Sequence, residues 1–216
     1  MGKVGGRRGG TNRLSDLAPD RFFSARHVTF SYPGRPVLTD LSFTLRPGLT
    51  LLRGGEDRGK TSVLRLIAGS LTPDAGNVHR AAETVYFETP ADPAHGAVVA
   101  RAWLDAQRSR FPAWQPEVEA DLIERFGLAA HIDKPMEMLS TGSRRKVGLV
   151  AAAASGAALT LIDMPFAALD ASSGRVLTAL LIDAAASADR AWVIADYECP
   201  AGLVNLTSSA VIDLGD

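Results

Sequence analysis

Gly54, Gly59, Lys60 and Thr61 occupy the four fixed places of the pattern G-x-x-x-x-G-K-[ST], inside Leu51-Leu52-Arg53-Gly54-Gly55-Glu56-Asp57-Arg58-Gly59-Lys60-Thr61-Ser62. The chemistry of that spacing is anion binding. Backbone N–H groups of a glycine-rich loop, added to the positive end of the helix that follows, form a cradle sized for a triphosphate. Lys60 is then the group that reaches the β and γ phosphates, and the Thr61 hydroxyl helps to hold Mg²⁺. Gly54, Gly55, Asp57, Arg58, Gly59, Lys60, Thr61 and Ser62 are the candidate nucleotide-binding residues of this loop. A second candidate is Asp163, which ends the apolar run Ala158-Leu159-Thr160-Leu161-Ile162. A carboxylate at such a strand end completes Mg²⁺ coordination in phosphate-loop NTPases. Asp is also common where a strand gives way to a turn, but its order and separation from Lys60 favour the metal. The third element is Leu139-Ser140-Thr141-Gly142-Ser143-Arg144-Arg145-Lys146, in which Ser140 is placed to cap a helix and Gly142 leaves room for an anion near the backbone.

These residues need elements to hold them. Leu49-Thr50-Leu51-Leu52 reads as a strand and Ser62 to Ala68 as a helix, the strand–loop–helix context in which the first motif has physical meaning. Upstream, Arg26 to Tyr32 and Leu41 to Leu45 alternate as strands around Pro33-Gly34, while Thr72 to Gly76 reads as a turn and Thr84 to Phe87 as a short strand. Residues 101–110 and 117–126 show helical periodicity, so about 91–140 is expected to be an inserted helical subdomain. Leu159 to Ile162, Ala191 to Ala195 and Ser209 to Leu214 return to strands, with a helix from Ser172 to Ala186. Strands alternating with helices imply an α/β fold with a mostly parallel core sheet, preceded by an antiparallel β part. Residues 1–20, Gly- and Arg-rich without an apolar segment, read as a disordered basic tail, leaving 21–216 as one nucleotide-binding domain.

Composition narrows the function classes. The chain has 216 residues, 46% of them hydrophobic and 22% charged, with a formal net charge of −1, which gives no electrostatic argument for nucleic acid as a partner. Cys199 is the single cysteine, so a reducing cytosolic compartment is the simple expectation. The longest apolar run, Val147 to Ile162, falls short of the ~18 residues of a membrane span and is broken by Ser155-Gly156. His27, His79, His95 and His131 are scattered without metal-ligand spacing.

From about Phe22 onward the chain resembles the ATP-binding domains of ABC (ATP-binding cassette) transporters. Leu139 to Ser143 resembles the family signature Leu-Ser-Gly-Gly-Gln, and Asp163-Met164-Pro165-Phe166-Ala167-Ala168-Leu169-Asp170 resembles Asp-Glu-Pro-Phe-x-x-Leu-Asp. Asp170 thereby falls at the family's D-loop, and Tyr32 matches the aromatic residue on which adenine stacks. The resemblance implies a P-loop NTPase of ABC type with ATP and Mg²⁺ as cofactors. Two such domains would face head to tail, with Ser140 and Gly142 touching the γ-phosphate bound by the partner. It also implies a separate transmembrane permease subunit, a second nucleotide-binding domain, and a place at the inner face of the cell membrane. Trp103, Phe111 and Trp114 are then candidates either for the core of the helical part or for a groove that receives the membrane partner.

The departures from the family fall on hydrolysis. Met164 stands where the family has a catalytic Glu, and it can neither accept a proton nor orient water. Tyr197 stands at or next to the place of the switch histidine, and Glu88-Thr89-Pro90 stand where a Mg²⁺-sensing Gln is expected. Asp57 replaces a usual glycine inside the loop beside Glu56, an acidic pair that Arg53 and Arg58 are positioned in sequence to offset. The resulting expectation is an ABC-type ATPase subunit that binds MgATP to drive the transmembrane subunit, with hydrolysis weakened. A purely regulatory, non-hydrolysing ATP-binding cassette and a soluble non-transport ABC ATPase are the alternatives.

Overall fold

The apolar alternation near the N-terminus becomes a hairpin in the computed structural model, which describes residues 22–87, 92–204, 206 and 210–215. Strand β1 (Phe23–Tyr32) buries Phe23, Ala25, Val28 and Phe30 and pairs antiparallel with β2 (Arg35–Leu45). The next strand, β3 (Gly48–Arg53), is buried at every residue except Arg53, as a parallel strand covered on both faces must be. After helix α1 (Lys60–Ala68), β4 (Ala75–Arg80) returns antiparallel to β1 and completes a sheet of order β2-β1-β4. The turn expected at Thr72 to Gly76 gives way to this strand at Ala75. All its residues are exposed, so no apolar alternation marks it; its pairing with β1 alone makes it a strand.

The second sheet has the order β5-β6-β7-β3-β8 and is parallel throughout, formed with β5 (Val85–Tyr86), β6 (Leu159–Asp163), β7 (Ala191–Asp196) and β8 (Ala210–Asp213). Its side chains alternate between two apolar layers, as the two-residue period of a strand requires. Leu159 and Leu161 of β6 and Val193 of β7 pack with Val63, Leu64 and Ile67 of α1, on the side of the antiparallel sheet. Ile162, Trp192 and Ile194 point the other way, into a core shared with the remaining helices.

Those helices are α2 (Ala100–Arg110), α3 (Pro116–Arg125) and α4 (Thr141–Ala154), between β5 and β6, and α5 (Ala171–Ala185), between β6 and β7. The two helical stretches expected at 101–110 and 117–126 are therefore present within one residue. Trp103 and Phe111 are buried in the core, and Trp114, partly buried against it, donates its indole N–H to Glu119 Oε2 at 2.8 Å. Glu119, buried, also accepts from Arg108 Nη2 at 2.7 Å, which ties α2 to α3 through a satisfied carboxylate. Among the described residues no helix is long and apolar enough to cross a membrane.

Register decides where the chemistry gathers. Asp163 of β6 lies opposite Ala195 of β7, and Asp196 of β7 lies opposite Arg53 of β3. The carboxyl ends of three neighbouring strands thus meet at one edge, the place where open parallel sheets bind ligands.

Candidate functional site

The loop between β3 and α1 is shaped by contacts with the antiparallel sheet. Gly59, the N-cap of α1, takes φ +91, and a Cβ there would lie 2.7 Å from Val37 Cγ1 and 3.0 Å from Leu38 Cδ2. Only glycine meets both demands. Asp57 also has positive φ (+59), the conformation natural to the glycine that the family usually places here and one that Asp tolerates better than most residues. Its carboxylate pairs with Arg35 Nη2 at 3.2 Å, and the same nitrogen donates to the Asp57 carbonyl at 3.3 Å. Compensation for the acidic loop therefore comes from Arg35, not from Arg53, whose guanidinium binds Asp213 at 2.6 Å on β8. Both pairs are exposed and contribute little stability, but they fix where the side chains point.

Lys60 is buried, and its ammonium donates to the carbonyls of Gly54 and Gly55 at 2.6 Å each. The Tyr197 ring lies over it, with the centroid 4.3 Å from Nζ. Beside Lys60, Thr61 Oγ1 donates to Asp163 Oδ2 at 2.6 Å. A hydroxyl and a carboxylate brought to one point from α1 and β6 are the hard oxygen donors that suit Mg²⁺, which keeps its other positions for phosphate and water. The residues present fit that ion.

A cleft of about 350 Å³ runs along this surface, lined by Tyr32, Asp57, Arg58, Gly59, Lys60, Thr61, Ser62, Asp163, Met164 and Tyr197. Tyr32 is partly exposed at one end; its ring meets Phe30 edge-on, and its hydroxyl lies 3.4 Å from Ser62 Oγ and accepts from Arg65 at 3.4 Å. The Ser62 hydrogen bond chiefly, with Arg65 behind it, holds the phenol below its usual pKa. Met164 also lines the cleft, with φ +49 and its N–H donating to the Ala195 carbonyl at 2.8 Å. Backbone strain at that position brings a thioether, not a carboxylate, to the cleft. Asp196 is close by; burial pushes its carboxyl upward, against a hydrogen bond from the Tyr197 N–H at 2.8 Å and the charge of Lys60.

Three sequence candidates lie elsewhere. Ser140 caps α4, accepting from the Ser143 N–H at 3.0 Å. Gly142 lies under the Ala168 carbonyl, 2.5 Å from where a Cβ would be, so the start of α4 and the turn after β6 are in backbone contact. Asp170 caps α5 through the Ser173 N–H at 2.9 Å and pairs with Lys146 of α4 at 2.9 Å. None of the three lines the cleft that holds Lys60. Glu88, Thr89 and Pro90 lie outside the described residues.

Two residues that sequence reasoning passed over belong to the site's frame. Arg145 donates from Nη1 to the Asp163 carbonyl at 2.9 Å, and burial lowers its pKa while Asp163 and Asp196 raise it. It reads in sequence only as part of a basic first turn. Arg35 carries no sequence signal, because its approach to Asp57 depends on how the hairpin folds over the loop.

The chain matches the family model described as ABC transporter over residues 38–167. It is 30% identical over 210 residues to the cytochrome c biogenesis ATP-binding export protein CcmA of Paramagnetospirillum magneticum, covering 90% of this chain and 91% of that protein. It is 31% identical over 168 residues to the taurine import ATP-binding protein TauB of Pseudomonas entomophila, covering 72% and 65% of the two chains. In fold it is similar to an ABC transporter ATP-binding protein from Pyrococcus furiosus, with a TM-score of 0.71 at 19% identity over 89% of this chain and 96% of that one. With the loop, the strand-end Asp163 and the capped α4 in the order and places described, the chain belongs to the ABC transporter family, as an ATP-binding domain.

Proposed function

We propose that the chain binds MgATP in the Lys60 cleft, pairs around it with a second nucleotide-binding domain, and drives a separate transmembrane subunit while hydrolysing ATP slowly. Adenine stacks on Tyr32, and the loop N–H groups and Lys60 take the phosphates. Thr61 and Asp163 hold Mg²⁺, which supplies charge neutralisation for the β and γ oxygens when bound. The unit is read as 21–216, with the helical part at about 91–140 inserted, working peripherally at the inner face of the cell membrane. In such a pair, Ser140 and Gly142 of one copy face the terminal phosphate held by the other. The homologous export and import ATP-binding proteins support the transport reading, without naming a substrate for this chain.

The observation that carries the binding half is the meeting of Thr61 Oγ1 and Asp163 Oδ2 beside the Lys60 ammonium. The observation that carries the slow-hydrolysis half is Met164 at the strand end, where a water-orienting carboxylate is required. The same residue favours a second reading, a regulatory half-site that binds ATP and never turns it over. Calorimetric titration with MgATP tests the binding half: wild type binds, and Lys60→Ala loses binding. Equal binding by the variant sinks the assignment of this cleft.

A further inference from the structure

Lys60 has three N–H donors. Two go to the Gly54 and Gly55 carbonyls, and the Tyr197 ring lies over the ammonium with its centroid 4.3 Å from Nζ. Tyr197 is 49% exposed, follows the end of β7, and lines the same cleft as Asp163 and Met164. The loop N–H groups seat the inner phosphates of a nucleotide whose base lies toward Tyr32. Lys60, Asp163, Met164 and Tyr197 line the same cleft, and on the nucleotide-binding reading the third phosphate falls among them.

We propose that Tyr197 is a lid on Lys60 that makes the cleft discriminate between nucleoside diphosphates and triphosphates. Its ring takes the side of the ammonium that the outermost phosphate needs. A diphosphate presents only its β-phosphate to the ammonium and leaves the ring in place. A triphosphate adds the γ-phosphate and must first move the ring and forfeit its attraction to the cation. The half-exposed ring can swing about its own side-chain bonds without rebuilding the strand end. The inference rests on the nucleotide-binding reading of the cleft and adds to it a residue that sets which phosphate state is preferred.

The test is equilibrium titration of the full chain with MgADP and with a non-hydrolysable β,γ-imido ATP analogue, in wild type, Tyr197→Ala and Tyr197→Phe. Tyr197→Ala is expected to tighten the triphosphate analogue by about 2- to 30-fold, the worth of one cation–π contact, while leaving MgADP nearly unchanged. Tyr197→Phe keeps an aromatic face and is expected to keep the wild-type ratio. Equal shifts for both nucleotides, weaker binding of the triphosphate by Tyr197→Ala, or a Phe variant that behaves like Ala would each overturn the lid. Wild type that binds neither nucleotide overturns the cleft assignment itself, which separates the two failures.

Discussion

Glycine at 59 is demanded by contact as much as by conformation. Its φ of +91 and the Val37 and Leu38 side chains leave no room for a methyl group, so the antiparallel sheet gauges the shape of the phosphate loop directly. Gly59→Ala should cost about 1–2 kcal/mol from the left-handed backbone alone, with further loss where Val37 must shift. A melting temperature lower by about 2–8 °C, measured by differential scanning calorimetry, is the expected result, together with weakened MgATP binding. A variant that melts and binds as wild type would mean the loop relaxes freely. Strain recurs around the site: Asp57, Met164 and Ala168 also have positive φ. Such residues persist where surrounding structure over-determines them, commonly at functional sites. At Met164 the strained backbone carries a thioether where the proposed function would look for a carboxylate.

Helix ends join the elements around the site. Asp170 caps α5 and reaches Lys146 of α4, and Arg145 of α4 holds the Asp163 carbonyl at the end of β6. The Lys146 ammonium first, and then the Ser173 N–H and hydroxyl, hold the Asp170 carboxyl well below the usual carboxylate range. A depressed folded pKa contributes stability above the unfolded value of about 4, and that contribution is lost as pH falls toward the lower folded value. Asp170→Asn keeps a capping side chain but loses the ion pair. Its melting temperature should therefore lie below wild type at neutral pH, by a gap that narrows progressively below about pH 4. A gap independent of pH would show that the pair is silent.

What could be read in advance follows from the same distinction between local and assembled features. The phosphate loop, the strand ending in Asp163 and the Ser140 cap each rest on contiguous residues, so spacing alone exposes them. Strand β4 could not be read because its exposed residues carry no alternation, and only pairing with β1 makes it a strand. The Arg35–Asp57 pair and the Tyr197 ring over Lys60 each join separate elements. No local pattern encodes them.

For the whole molecule, the division of groups between two surfaces is decisive. Lys60, Thr61 and Asp163 share one cleft, while Ser140 and Gly142 lie at the start of α4, outside it. In the proposed pairing, a second domain brings its own Ser140 and Gly142 to the phosphate held by the first. Sedimentation velocity should find a monomer without nucleotide and a dimer with a non-hydrolysable MgATP analogue, with Lys60→Ala remaining monomeric in both conditions. A monomer in all conditions would favour pairing with a different cassette. In the proposed cycle hydrolysis releases the dimer, and Met164 is the residue proposed to slow it. The most direct measurement is steady-state phosphate release at saturating MgATP by wild type and by Met164→Glu. A rise of about 10²–10⁴ in the variant is expected, the worth of a positioned general base. Equal rates would contradict the assignment of Met164 as the residue that makes this cassette slow.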